Sequence, residues 1–356
     1  MDDVAKIFIP SAVSFIIGIM LAFPITGFLY RNKMWKKKAK EVAFDGTSTP
    51  VFNKMHAARE MGVPRLGGSL IWGSVIITIA AFVSLDLLTT FPIFDKLNFL
   101  SRGQTWIPLV ALFVGAAVGL IDDFLEIGGN GNSTLPGGLP LRKRLIVVGI
   151  VSLLAALWFY FKLDVDGILL PFGIALPMGI FFIPFFVLIA LAVYSGGIID
   201  GLDGLAGGIF AAIFSAYAGV AFHQQQINLA AFCAVLVGAI LAFLWFNIPP
   251  ARFYMSETGS MALTLTLTMV AFMTDQIADG YGVSLLFIIA APLFVTSLSV
   301  IIQMLSKKFR GKKILIVSPL HHHFEAIGWP AYKVTMRYWV ISIVLAIIGM
   351  IVAFVA

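Results

Sequence analysis

Apolar stretches about 20 residues long recur along almost the whole chain, and this recurrence limits the fold more than any other feature. A helix that crosses the roughly 30 Å hydrocarbon core of a bilayer needs about 20 mostly apolar residues. Ten such stretches can be marked, near residues 7–29, 66–85, 104–121, 145–161, 179–199, 204–222, 227–246, 258–274, 283–305 and 338–356. The expected fold class is all-α: a polytopic integral membrane protein of about ten transmembrane helices, forming a single domain over residues 1–356. Composition agrees, since 60% of the 356 residues are hydrophobic and 12% charged, whereas soluble domains run at roughly 45–50% and about 25%. A soluble globule, a disordered chain and a nucleic-acid-binding protein are thereby excluded. The single cysteine, Cys233, sits in an apolar run. An intramolecular disulfide is ruled out, and redox chemistry has no support. The first stretch lacks the basic flank and small-residue cleavage site of a signal peptide and is expected to remain as a span. Residues 204–251 contain no charged side chain, and only His223, Gln224, Gln225 and Gln226 interrupt them, which fits two spans joined by a tight turn.

The position of the charges matters more than their net value of +6. Cytoplasmic loops are enriched in Lys and Arg, and here the bases fall on alternate loops: 30–65, 122–144, 247–257 and 306–337 together hold 20 of the 24. An even span count with this alternation places both termini outside.

The unusual polar residues fall on the same cytoplasmic side. Asp122 and Asp123 follow the apolar run Val118–Ile121. Adjacent carboxylates at the end of a span repel each other and cost several kcal/mol if desolvated without a partner, so a cation or a proton is expected beside them; the competing explanation is a solvated helix cap. Asp200 and Asp203 lie in a Gly-rich segment, apolar on both flanks, where i and i+3 would share a helix face and the glycines let backbone approach a ligand. A short loop from Asn247 to Ser260 carries Arg252, Tyr254 and Glu257. His321, His322 and His323 stand in the last long loop. Three successive histidines cannot all point one way on a helix, and the usual zinc spacings are absent; imidazoles there suit phosphate or sugar hydroxyls. The glycines between Gly128 and Gly138 match no phosphate-loop pattern and read as a flexible connection. Carboxylates at several helix ends, with Arg142, Lys143, Arg144 and the histidines, make a plausible Mg²⁺–diphosphate constellation, because Mg²⁺ prefers one or two carboxylates together with substrate phosphates and water.

The segments Gly119–Phe124, Asp200–Ala206, Phe246-Asn247 with Glu257–Ser260, and Pro319–Pro330 resemble, in order and spacing, the polyprenyl-phosphate sugar-1-phosphate transferases. The likeness runs from about residue 44 to 356, and its triple-His block is the most specific part. That block is similar to the branch that transfers phospho-MurNAc-pentapeptide from UDP-MurNAc-pentapeptide to undecaprenyl phosphate with Mg²⁺, giving lipid I and UMP in the bacterial inner membrane. The resemblance implies that Asp122 and Asp123 serve the lipid phosphate, as base or through the metal, and that Asp200 and Asp203 line the nucleotide and diphosphate site. Glu257 would be a metal ligand beside Asp122 and Asp123, and Tyr254 would stack near uracil. His321, His322 and His323 would contact the sugar-nucleotide, with Asn247 and Lys143 also binding substrate. A homodimer is compatible with the sequence.

The chain departs from the family pattern at several positions. Two Asn positions are Tyr194 and Gly197, an Asp is Glu257, and a Lys shortly after the paired Asp is Glu126. An upstream Lys is Glu60, whose charge Arg59 or Arg65 would replace. Three alternatives stay open at this point: a transferase using another UDP-sugar, a transporter, and a non-catalytic homologue. Acids at cytoplasmic helix ends rather than span centres weigh against the transporter.

Overall fold

The computed structural model describes residues 2–36, 62–101, 103–128, 138–275 and 280–356. Lys37, Lys38, Lys40, Lys54, Arg59, Glu60, Arg102 and most of the Gly-rich connection after Gly128 lie outside the described residues. In chain order the helices are α1 (Asp2–Arg31), α2 (Gly68–Leu88), α3 (Pro92–Leu97), α4 (Trp106–Gly128), α5 (Leu141–Lys162), α6 (Phe182–Ser195), α7 (Leu205–His223), α8 (Ile227–Asn247), α9 (Ser256–Met273), α10 (Gly282–Ile289), α11 (Ala291–Arg310), α12 (Leu320–Ala326) and α13 (Ala331–Val355). Short 3₁₀ turns flank α6 at Gly179–Phe181 and Gly196–Ile199. Among the described residues the only strands are β1 (Gly167–Leu170) and β2 (Ile174–Pro177), an antiparallel hairpin pairing Gly167 with Pro177. The all-α expectation therefore holds for every span, with one small hairpin between the fourth and fifth.

Eight helices are long and apolar enough to cross a membrane, and α10 with α11 adds a ninth if that pair is one span. All ten expected stretches are helical, and two of them differ from a plain lipid-facing span. The stretch near 283–305 is not one straight helix: α10 and α11 meet at 68°, with Pro292 in the first turn of α11, where proline removes a donor and crowds the preceding turn. The stretch near 258–274 forms α9, which falls short of a lipid-facing composition because it faces protein on all sides. Every residue from Thr258 to Met273 is buried, against α2, α4, α6, α7 and α10. A helix with no lipid contact needs no apolar exterior. Its hydroxyls turn back onto its own carbonyls, Thr264 to Ser260 at 2.8 Å and Thr266 to Ala262 at 2.7 Å. Its 18 residues reach about 27 Å at 1.5 Å per residue, close to the apolar depth of a bilayer. This central helix begins where the acidic segments converge.

Candidate functional site

α4 presents Leu112, Gly115, Ala116, Gly119, Asp122 and Asp123 on its buried stripe, so the helical repeat carries both carboxylates inward. Both are fully buried, which disposes of the solvated-cap explanation. Gly119 is what lets them arrive: a Cβ there would collide with the Glu257 carbonyl and the Thr258 Cα at the start of α9. Close approach of this kind is the usual role of small residues spaced by four in packed membrane helices.

The first turn of α9 then supplies amides that have no helical partner. The Thr258 amide donates to Asp123 Oδ2 at 2.9 Å and the Glu257 amide to Asp123 Oδ1 at 3.3 Å, while the Ser256 amide donates to Asp200 Oδ2 at 2.8 Å. Ser256 adopts a left-handed φ of 58°, uncommon outside glycine, at the point where the chain turns into the helix. Two carboxylates from different segments thus share one helix N-terminus, where the helix dipole favours negative charge.

Cations complete the arrangement. Arg144, in the first turn of α5, spans Asp122 (2.9 Å) and Glu257 and donates through Nε to the Leu139 carbonyl. Asp122 also accepts the Leu139 amide. Arg65 sits 2.8 Å from Glu126 and 3.5 Å from Asp123, and Lys36 lies 3.1 Å from Glu126. Burial works against the Arg65 charge, but Glu126 and Asp123 outweigh it and hold the guanidinium protonated beyond its ordinary range. Burial also pushes the Asp200 carboxyl up, against the pull of the Ser256 amide and Arg65.

Other expected residues fall into two groups. His321 is fully buried with its Nε2 against Gly201, where a Cβ would collide with it, and its ring lies 4.3 Å from that of His322. His322 Nδ1 is 2.7 Å from Glu325, whereas His323 turns away to accept the Ile316 amide. The histidines therefore diverge as the helical geometry requires, and two of them join the Asp200 turn. Asp200 and Asp203 do not share a helix face: residues 200–204 are turns, and the two side chains reach separate parts of one loop, Asp203 accepting the Ala251 amide at 3.2 Å. Asn247 is engaged at both ends, accepting from the Gly204 amide and donating to the Phe253 carbonyl. Tyr254 pairs its backbone with Pro64 and Gly67, which docks this loop on the start of α2.

Lys143 is exposed, and the base inside the cluster is its neighbour Arg144. The signal was present: Arg144 leads the series Val148, Ser152, Ala156 and Phe159, the buried residues of α5, spaced almost entirely by four. Lys143 is turned about 100° from that face. Arg144→Ala is expected to lower kcat/KM by about 10²–10³, the scale of losing a preorganised charge donor, and Lys143→Ala by less than about twofold; Michaelis kinetics on the two purified variants check the contrast.

This fold and site define a class, a polytopic membrane glycosyl transferase: residues 105–275 match the glycosyl transferase family 4. The chain is 34% identical to the phospho-N-acetylmuramoyl-pentapeptide-transferase of Dichelobacter nodosus, over 82% of this chain and 80% of the relative. It is 32% identical to that of a Geobacillus species over 94% and 96%, and 33% identical to that of Granulibacter bethesdensis over 83% and 80%. The chain belongs to the phospho-N-acetylmuramoyl-pentapeptide transferase family, whose members are phosphoglycosyl transferases.

Proposed function

We propose that the chain transfers phospho-MurNAc-pentapeptide from its UDP carrier to undecaprenyl phosphate, releasing UMP, at a site on the cytoplasmic face of the bacterial inner membrane. The observation that carries this reading is the charge balance at the start of α9. Five carboxylates (Asp122, Asp123, Glu126, Asp200 and Glu257) meet three cations (Lys36, Arg65 and Arg144), leaving two formal negative charges, the complement of one divalent cation. Among the described residues no three acidic or imidazole side chains converge as a closed cage, and Mg²⁺ asks for none, since it binds through one or two carboxylates plus phosphate oxygens and water. The donor set therefore fits Mg²⁺, with Asp122, Asp123 and Glu257 the groups to hold it. Bound there, the metal would neutralise charge on the diphosphate as it breaks.

The protein's own groups supply position. Asp123, held by two amides and Arg65, faces the place where a lipid phosphate oxygen bonds to the sugar-linked phosphorus as the bond to the UMP oxygen breaks. Arg144 has the fork geometry to grip a diphosphate oxygen. Asp200 with His321 and His322 forms the wall toward the sugar-nucleotide, and Asp203, Asn247 and Tyr254 hold the loop that aims the α9 amides. The site is one domain's work, formed by the ends of helices from α1 to α13. The alternation of basic loops supports a cytoplasmic position for these ends.

A donor comparison tests the substrate. UDP-MurNAc-pentapeptide is expected to be used at least about tenfold better than UDP-GlcNAc, roughly 1.4 kcal/mol of discrimination; equal use, or preference for UDP-GlcNAc, would assign the site to another sugar-1-phosphate transfer.

A further inference from the structure

Glu126 stands three residues after Asp123 on α4, so the two carboxylates lie one turn apart on the same helix face and repel each other. Arg65 is set between them. Its terminal nitrogen is 2.8 Å from Glu126, while its Nε is 3.5 Å from Asp123, longer than an ordinary hydrogen bond. Lys36 closes the series at 3.1 Å from Glu126. Lys36, Glu126, Arg65 and Asp123 therefore alternate in sign from the segment after α1 to the reacting carboxylate. The sequence has an acid at position 126 where the family pattern has a Lys, and the cation beside Asp123 arrives instead from the segment before α2.

The backbone that carries Arg65 is held on two sides. The Arg65 amide donates to the Met34 carbonyl at 2.7 Å, the Tyr254 amide donates to the Pro64 carbonyl, and the Gly67 and Gly68 amides donate to the carbonyls of Tyr254 and Met255. Leu66 takes a left-handed φ of 70°, a costly conformation outside glycine, where the segment turns into α2. What these bonds leave open is the direction of the long Arg65 side chain. Glu126 makes the close ion pair with it, and Asp123 receives only the longer contact.

We infer that Glu126 is a positioning residue, which holds the Arg65 guanidinium at the edge of Asp123 and binds neither metal nor substrate itself. The inference rests on the function proposed above. Without Glu126, Arg65 either closes onto Asp123 and cancels the charge that faces the lipid phosphate, or turns away and leaves that charge without its partner. Turnover falls in both cases. The competing role for Glu126 is a strap that ties the segments after α1 and before α2 to α4 without reference to Asp123.

A double-mutant cycle on the full-length protein separates the two roles. Glu126→Gln is expected to lower kcat about tenfold and Arg65→Gln about a hundredfold. Because Glu126 acts through Arg65, the double variant is expected to stay within about twofold of Arg65→Gln alone. Phenylglyoxal labelling of arginines, read residue by residue by mass spectrometry, follows the aim of Arg65 without any turnover. Loss of the close ion pair uncovers the guanidinium, so Glu126→Gln is expected to speed labelling of Arg65 at least about fivefold and to leave Arg144 within about twofold of wild type. A double variant about tenfold below Arg65→Gln would show independent action and overturn the inference. Unchanged labelling of Arg65, labelling that rises equally at Arg65 and Arg144, or a Glu126→Gln kcat equal to that of wild type would overturn it too. UMP release by the wild type reports the transferase reading and labelling reports the aim of Arg65, so failure of the one and failure of the other give different results.

Discussion

Asp123→Asn is expected to cut turnover by about a thousandfold, some 4 kcal/mol in the barrier, while the protein still inserts and folds. In the wild type this side chain accepts two α9 amides and faces Arg65. Asparagine keeps the shape but offers one acceptor oxygen and an NH₂ that can only donate, so one of those donors then meets another donor. The negative charge beside the helix N-terminus and the guanidinium is lost as well. Steady-state UMP release measured on membranes with matched protein content checks this, and activity above about a tenth of wild type would remove Asp123 from the reacting groups.

The second large effect lies at a residue with no side chain. Gly119→Ala places a methyl group where the Glu257 carbonyl and Thr258 Cα stand, both backbone atoms at the start of a helix packed on all sides. α4 and α9 must separate. Overpacking of this kind costs about 1–3 kcal/mol of stability, and a shift of about 1 Å in the aligned groups costs on the order of a hundredfold in rate. Thermal unfolding and kcat/KM should therefore fall together. Gly128→Ala, at the exposed end of the same helix with nothing near its Cβ position, should leave both close to wild type.

These two residues also show what the sequence made legible. The paired Asp, the Asp200 turn, Glu257 and the histidines were all recognisable, because unpaired carboxylates and imidazoles are rare and costly beside membrane spans. Their stabilisation was not, since the amides of Ser256, Glu257 and Thr258 have no side-chain signature. Gly119 opens one of the segments that carry the family resemblance, but nothing in the sequence shows that it packs against the start of α9. The sequence offers Arg59 or Arg65 as a substitute charge without choosing between them, and the place of Arg65 between Asp123 and Glu126 depends on how the helices pack. The i, i+3 spacing of Asp200 and Asp203 pointed to one helix face, and it failed because the segment is a turn, not a helix. Arg144 was recoverable from the four-residue stripe of α5. α9 was recognised as a span from its length, while its complete burial, which explains its threonines, is a property of the assembled bundle.

The central claim is that the helix ends around α9 form a Mg²⁺-dependent phosphotransfer site, and UMP release from UDP-MurNAc-pentapeptide tests it most directly. Purified protein is expected to release UMP only when undecaprenyl phosphate and Mg²⁺ are both present, to stop when EDTA is added, and to recover when excess Mg²⁺ is restored. Release that is unaffected by EDTA, or no release by folded protein with both present, would contradict it.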